Sequence, residues 1–379
     1  MSRLPCLLLL LLVPSAVPGN ALHVRGQEES FDDFDQQTAG YFSRIQRGRR
    51  EFSFRPHGEG GVQQWQKLAR KQLEVRIGLQ RMASQLVRHR ARVELGPGVE
   101  RAGKYRRHRG WIETEPGIRV PFYLLVPRGN GPHPLAICPH GHDPGGWHAY
   151  AGAFLDGSQQ KDVLAREGNI AEQLALAGYV AVAPATRGLA RELTIPDIKG
   201  RHGKRDCRAQ LMHCLLGGRT PIGERVWDLQ KILDWALQLE SVEREKVVMI
   251  GNSGGGVATV FTAAVDPRIR VAIPSCSFTS LTSEKGYIFH CDCCMVPGLR
   301  DWGTASDLGG LIAPRPLLVV HGTRDRLHSR KDVERNAAAV EKIYRTMDAR
   351  QALQLSWGEG GHRFYPAIIF SFLEKHLPR

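Results

Sequence analysis

Residues 246–256 read KVVMIGNSGGG, and this stretch limits the fold more than any other. An apolar run of strand type passes into Gly251-Asn252-Ser253-Gly254-Gly255, and a segment rich in Ala, Val, Thr and Phe follows. G-x-S-x-G between a strand and a helix demands a sharp turn that lifts the serine above the sheet. Bulkier neighbours would collide with the strand and the helix, so glycine is required on both flanks. The turn leaves the Ser253 hydroxyl exposed and the Gly254 amide at a helix N-terminus.

The surrounding texture supplies the rest of the sheet. Residues 118–127 and 133–139 are strand-like runs separated by the turn sequence RGNGP. Ile170, Leu174 and Ala177 share one helical face that ends at Gly178. YVAVAPA (179–185) is an uninterrupted apolar run of the kind buried on both faces of a parallel sheet. Val226, Leu229, Leu233 and Leu237 form another helical stripe, and further strands are expected at 270–275, 315–322 and 351–357. This alternation predicts an α/β fold, a mostly parallel sheet flanked by helices. Its active groups are expected at the C-terminal ends of the strands.

A serine hydroxyl becomes a nucleophile only when a base takes its proton and an acid orients that base. Asp325 falls at the tip of the strand PLLVVHG, and His362 lies in the loop after the last strand. The expected triad is Ser253, Asp325 and His362, in the chain order that such sheets use. Asp292, Asp301 and Glu359 compete for the acid, and His321 and His328 for the base. Upstream, ICPHGHDPGGWH (137–148) gathers three histidines and an aspartate, but no histidine follows Asp143 at metal-binding spacing. The loop is therefore assigned to the oxyanion side, where the His142 amide, with Gly141 as its alternative, would join that of Gly254. His140 is expected to be a buried structural group, with Trp147 and His148 lining the entrance to the substrate pocket.

Residues 1–21 have the layout of a secretory signal: Arg3, the apolar run Leu4–Val13, then small residues and proline. The run is too short for a stable membrane anchor, so the expected location is secreted or periplasmic. In an oxidising compartment the seven remaining cysteines suggest disulfides, with Cys207/Cys214 and the HCDCC cluster as candidates. Zinc held with His213 or His290 is the alternative, with disulfides favoured. The net charge is +14, and residues 41–110 alone hold 18 Lys/Arg against 5 Asp/Glu. That segment is a candidate surface for an anionic polymer, or simply a solvated face. Nucleic acid is not expected, since no binding module is recognisable. Residues 62–92 carry an amphipathic helical pattern, so 22–109 read as a basic, partly helical N-terminal extension ahead of a catalytic domain over 110–379.

Over 110–379 the chain resembles the α/β-hydrolase superfamily. GNSGGGVATVFTAAVDPRI, HCDCCMVPGL and LIAPRPLLVVHGTRD are similar to a group of exported bacterial hydrolases. These are described as dienelactone-hydrolase-like or acetyl-xylan-esterase-like and are related to the prolyl-oligopeptidase catalytic domain. The resemblance implies the same triad, no metal or cofactor, and hydrolysis of an ester, such as acetyl on a polysaccharide. One departure is RLHS (326–329), where such proteins usually carry apolar residues and a proline. Two other functions fit the same residues: a small aminopeptidase-like serine peptidase, and a non-catalytic polyanion-binding protein on a hydrolase scaffold.

Overall fold

The computed structural model describes residues 37–45, 50–56, 61–101, 103–143 and 145–378. The secretory-signal expectation lies outside the described residues. Among them, ten strands form one sheet: β1 (Arg92–Leu95), β2 (Val99–Arg101), β3 (Tyr105–Glu115), β4 (Ile118–Pro127), β5 (His133–Ile137), β6 (Val180–Pro184), β7 (Val242–Asn252), β8 (Val271–Ser275), β9 (Leu317–Gly322) and β10 (Leu353–Gly358). Their order is β1-β3-β4-β6-β5-β7-β8-β9-β10, with β2 paired to β3. β5 to β10 run parallel, whereas β3 and β4 are antiparallel.

β6, β8 and β9 are buried along their whole length because helices cover both faces. Leu135, Ile137, Val180, Val182 and Met249 enter one core layer. Their neighbours Ala136, Cys138, Ala181, Ala183, Val248 and Ile250 enter the other, as the alternation of strand side chains requires. β3 was not anticipated. Its first half, Tyr105–Arg109, carries three arginines at a half-solvated edge, and its buried half begins only at Gly110.

The N-terminal segment is part of this core. The expected single helical run breaks at Gly78 (φ +89°) into Gly61–Ile77 and Leu79–Gln85. Leu73, Ile77 and Met82 are completely buried. Arg70 donates to the carbonyls of Ala264 (2.8 Å) and Leu311 (3.0 Å), and Trp302 Nε1 donates to that of Ala69 (2.9 Å). These contacts cover the outer side of the helix Gly254–Val265, all twelve residues of which are buried. An apolar helix of that kind needs protein on every side. Arg92 pairs with Glu113 and Arg106 with Glu100, so part of the segment's positive charge is spent internally. No helix among the described residues is long and apolar enough to cross a membrane.

The parallel sheet starts at β5 and grows to both sides, with β6 on one flank and β7 on the other. The crevice at such a reversal is where ligands bind in these sheets. The loops leaving β5 and β7 meet there.

Candidate active site

Ser253 ends β7 and opens the helix Gly254–Val265 with φ +57° and ψ −124°. A non-glycine residue held in this region is strained. The strain is fixed by a hydrogen bond from Ser253 N to Ser275 O (2.9 Å) and by close packing beneath the turn. A Cβ on Gly255 would lie 2.0 Å from Pro139 O, and one on Gly251 2.5 Å from Gly255 C. Both glycines are thus required by the approach of backbone, which is the reason for the motif. Ser253 itself is half-buried.

Asp325 follows β9, and its side chain is almost wholly buried. Its Oδ2 lies 2.9 Å from His362 Nδ1, and its Oδ1 accepts the Leu327 N–H at 2.9 Å. Burial alone would raise the carboxyl's pKa, but the facing imidazoles of His321, His328 and His362 outweigh it and hold Asp325 well below the usual carboxylate range. His321 and His328 approach at 3.9 and 3.7 Å, too far to replace the bond to His362. His328 belongs to the RLHS departure, which places an imidazole against the acid. Two of the competing acids are elsewhere engaged: Asp292 pairs with Arg208, and Glu359 accepts from Thr323.

His362 Nε2 is buried and has no hydrogen-bond partner among the described residues. The structure therefore brings Asp325 and His362 together but closes no bond between His362 and Ser253. Asn252, the residue before the serine, lines a cavity of about 360 Å³ together with His362, Tyr150, Gln159, Arg166 and Phe364.

The β5 loop lies directly over the elbow. A Cβ on Gly141 would be 2.8 Å from Gly254 N and 3.1 Å from Ser253 Cβ. Gly141 N already donates to Asp143 Oδ2 (3.1 Å), which leaves His142 as the loop's candidate oxyanion donor. Asp143 also accepts from Tyr150 (3.2 Å) and Asn252 (3.4 Å), tying the loop to both neighbours of the site.

The three histidines of the loop diverge. His140 is buried; its Nε2 accepts Thr186 N–H (2.9 Å) while Nδ1 faces Gly141 O (2.8 Å). Burial lowers its pKa to about 4, so it is a neutral structural group, as expected. His148 faces Tyr123 Oη (3.1 Å) and Glu192 (3.5 Å). Placing Trp147 and His148 at the pocket entrance needs correction, since neither lines the cavity beside His362. The short helix Gly146–Tyr150 turns Trp147 into the core, 4.7 Å from the Tyr123 ring, and offers Tyr150 to the cavity instead.

The disulfide expectation is also corrected. All seven cysteines among the described residues are free. Cys207 and Cys214 lie on one helix, Asp206–Leu216, and seven helical residues separate them by about 10 Å. Cys207 instead meets Cys291, with 3.6 Å between the sulfurs, and Cys293 meets His142 Nε2 at 3.7 Å. Neither His213 nor His290 joins this cluster; the histidine that does comes from the β5 loop. Sequence spacing could not reveal it, because the four residues come from three separate segments.

No family model matches the chain. It is 27% identical over 272 residues to a Bacillus subtilis (strain 168) protein provisionally named hydrolase YtaP, covering 68% of this chain and 84% of the relative. A crystal structure from Bacteroides fragilis NCTC 9343, provisionally named an acetyl xylan esterase, superposes with a TM-score of 0.71 at 16% identity, covering 90% of this chain and 95% of that one. A CE15 glucuronoyl esterase from Teredinibacter turnerae T7901 gives 0.54 at 16% identity over 75% and 78%. Strand order, elbow and superposition together establish that this chain has the α/β-hydrolase fold.

Proposed function

We propose that the protein is an exported serine esterase that removes small acyl groups, acetyl foremost, from carbohydrate. The observation that carries this reading is the buried Asp325–His362 pair at 2.9 Å, with His362 Nε2 left without a partner and with His362 and Asn252, the residue before Ser253, lining one cavity. The choice of substrate rests on the two structural relatives, both named as esterases of carbohydrate, and on the N-terminal signal pattern.

In this mechanism His362 Nε2 takes the Ser253 proton as Oγ attacks the ester carbonyl. Asp325 keeps the second proton on Nδ1 and stabilises the imidazolium. The amides of Gly254 and His142 receive the charge that develops on the carbonyl oxygen. His362 then passes its proton to the leaving alcohol. In the second half, water attacks the acyl-serine, giving its proton to His362, and the carboxylic acid departs as Ser253 is reprotonated.

Acetate release from acetylated xylo-oligosaccharides, measured beside cleavage of aminoacyl and peptidyl anilides, tests the reading. Ester cleavage without anilide cleavage is expected. Anilide cleavage alone would make the protein a peptidase, and inertness toward both would remove the esterase assignment.

A further inference from the structure

We propose that His142, Cys207, Cys291 and Cys293 form a structural zinc site that pins the β5 loop beside the Ser253 elbow. The four donor atoms all lie within 4.8 Å of one another. A tetrahedral zinc with Zn–S near 2.3 Å and Zn–N near 2.0–2.1 Å separates neighbouring donors by about 3.5–3.8 Å. The sulfurs of Cys207 and Cys291 are 3.6 Å apart, and Cys293 Sγ is 3.7 Å from His142 Nε2. Both are the edge length of such a tetrahedron and far longer than a disulfide bond. Three thiolates and one imidazole are a ligand set typical of closed, structural zinc centres.

Arg225 gives an independent reason for an anionic centre here. Its side chain is 1% exposed, it forms no salt bridge among the described residues, and its Nη2 has no hydrogen-bond partner. Its Nη1 donates to the Cys293 carbonyl at 3.4 Å. A buried guanidinium without a counter-charge is costly. On binding Zn²⁺ the three thiols release three protons and His142 contributes the lone pair of a neutral imidazole. The resulting complex carries one net negative charge, which the lone arginine balances.

The site joins three segments: the loop after β5, the helix Asp206–Leu216 and the turn containing Asp292–Cys294. With Nε2 on zinc, the His142 ring is held over Gly254, whose position for a Cβ is 3.3 Å from His142 Nδ1. Four protein ligands leave no open coordination position, so the metal would act by positioning the loop. This positioning role rests on the oxyanion assignment proposed above; the presence of the metal does not.

The test is the metal content of the full chain, produced in zinc-containing medium and purified without chelator. Plasma mass spectrometry is expected to find one zinc per chain, and X-ray absorption three sulfurs near 2.3 Å and one nitrogen near 2.0 Å. Cys293→Ser and His142→Ala are expected to lose zinc to a chromophoric chelator at least about tenfold faster, with Cys214→Ser retaining it. If Cys293→Ser fails to fold, the wild-type stoichiometry and His142→Ala decide. Folded, zinc-free wild-type protein with titratable thiols would overturn the proposal, as would a Cys207–Cys291 disulfide found by non-reducing peptide mapping.

Discussion

Asp325 accepts from two directions at once: its Oδ2 lies 2.9 Å from His362 Nδ1, and its Oδ1 takes the Leu327 amide at 2.9 Å. The carboxylate is therefore fixed before any substrate arrives. Asp325→Asn keeps the shape but offers Nδ1 an amide, which favours the wrong imidazole tautomer. Esterase kcat is expected to fall about 10³- to 10⁴-fold with little change in KM. Steady-state kinetics on the acetyl ester check this.

His321 makes the fold sensitive to acid. Burial lowers its pKa to about 4, against the opposing pull of Asp325, and neither ring nitrogen has a hydrogen-bond partner. The charged or titratable groups facing it are Asp325, His328 and His362. Because the folded pKa lies below the unfolded value, the unfolded chain binds the proton more readily. The stabilising effect is complete above about pH 6.5 and is lost as pH falls toward 4, by about 3 kcal/mol in all. Urea unfolding at pH 7 and pH 5 is expected to show about 2 kcal/mol of this loss, and a weaker dependence in His321→Leu.

Arg187 anchors a buried network between β3 and the helix Pro221–Ala236. It pairs with Asp228 through Nε (2.9 Å) and Nη2 (2.5 Å) and with Glu115 through Nη1 (2.6 Å). Arg187→Met would strand the buried Asp228 carboxylate, while Glu115 keeps Arg219 at 2.8 Å. A loss of about 3–5 kcal/mol is expected, read as a lower urea midpoint. The double variant Arg187→Met/Asp228→Leu should recover part of that loss, since it removes the stranded charge.

The N-terminal helix should prove integral to stability. Leu73 is fully buried in the core that backs the Gly254–Val265 helix, so Leu73→Ala is expected to cost about 2–5 kcal/mol. A single cooperative transition with a lowered midpoint is the predicted outcome. An unchanged midpoint would mean that the segment packs only weakly on the fold.

How much of this was legible depended on burial and on locality. β6, β8 and β9 are buried on both faces, so their apolar runs announce them. Asp325 and His362 could be chosen because strand ends are marked by the runs before them. β3 was hidden because arginines fill its exposed half. Trp147 misled because composition does not say which way a five-residue helix faces. Sequence-distant partners left the least trace. The ligands of the His142 cluster come from the loop after β5, a helix and a later turn, and only the C-x-C of Cys291 and Cys293 is local. Arg187 and its carboxylates likewise meet across as many as 72 residues.

The central claim is that Ser253 is an activated nucleophile. Labelling of the folded protein with a fluorophosphonate probe, followed by mass mapping of the modified peptide, tests it most directly. The expected result is a single adduct on Ser253, absent in Ser253→Ala and abolished in His362→Ala. A folded wild-type protein that takes no label, or takes it at another residue, would contradict the account.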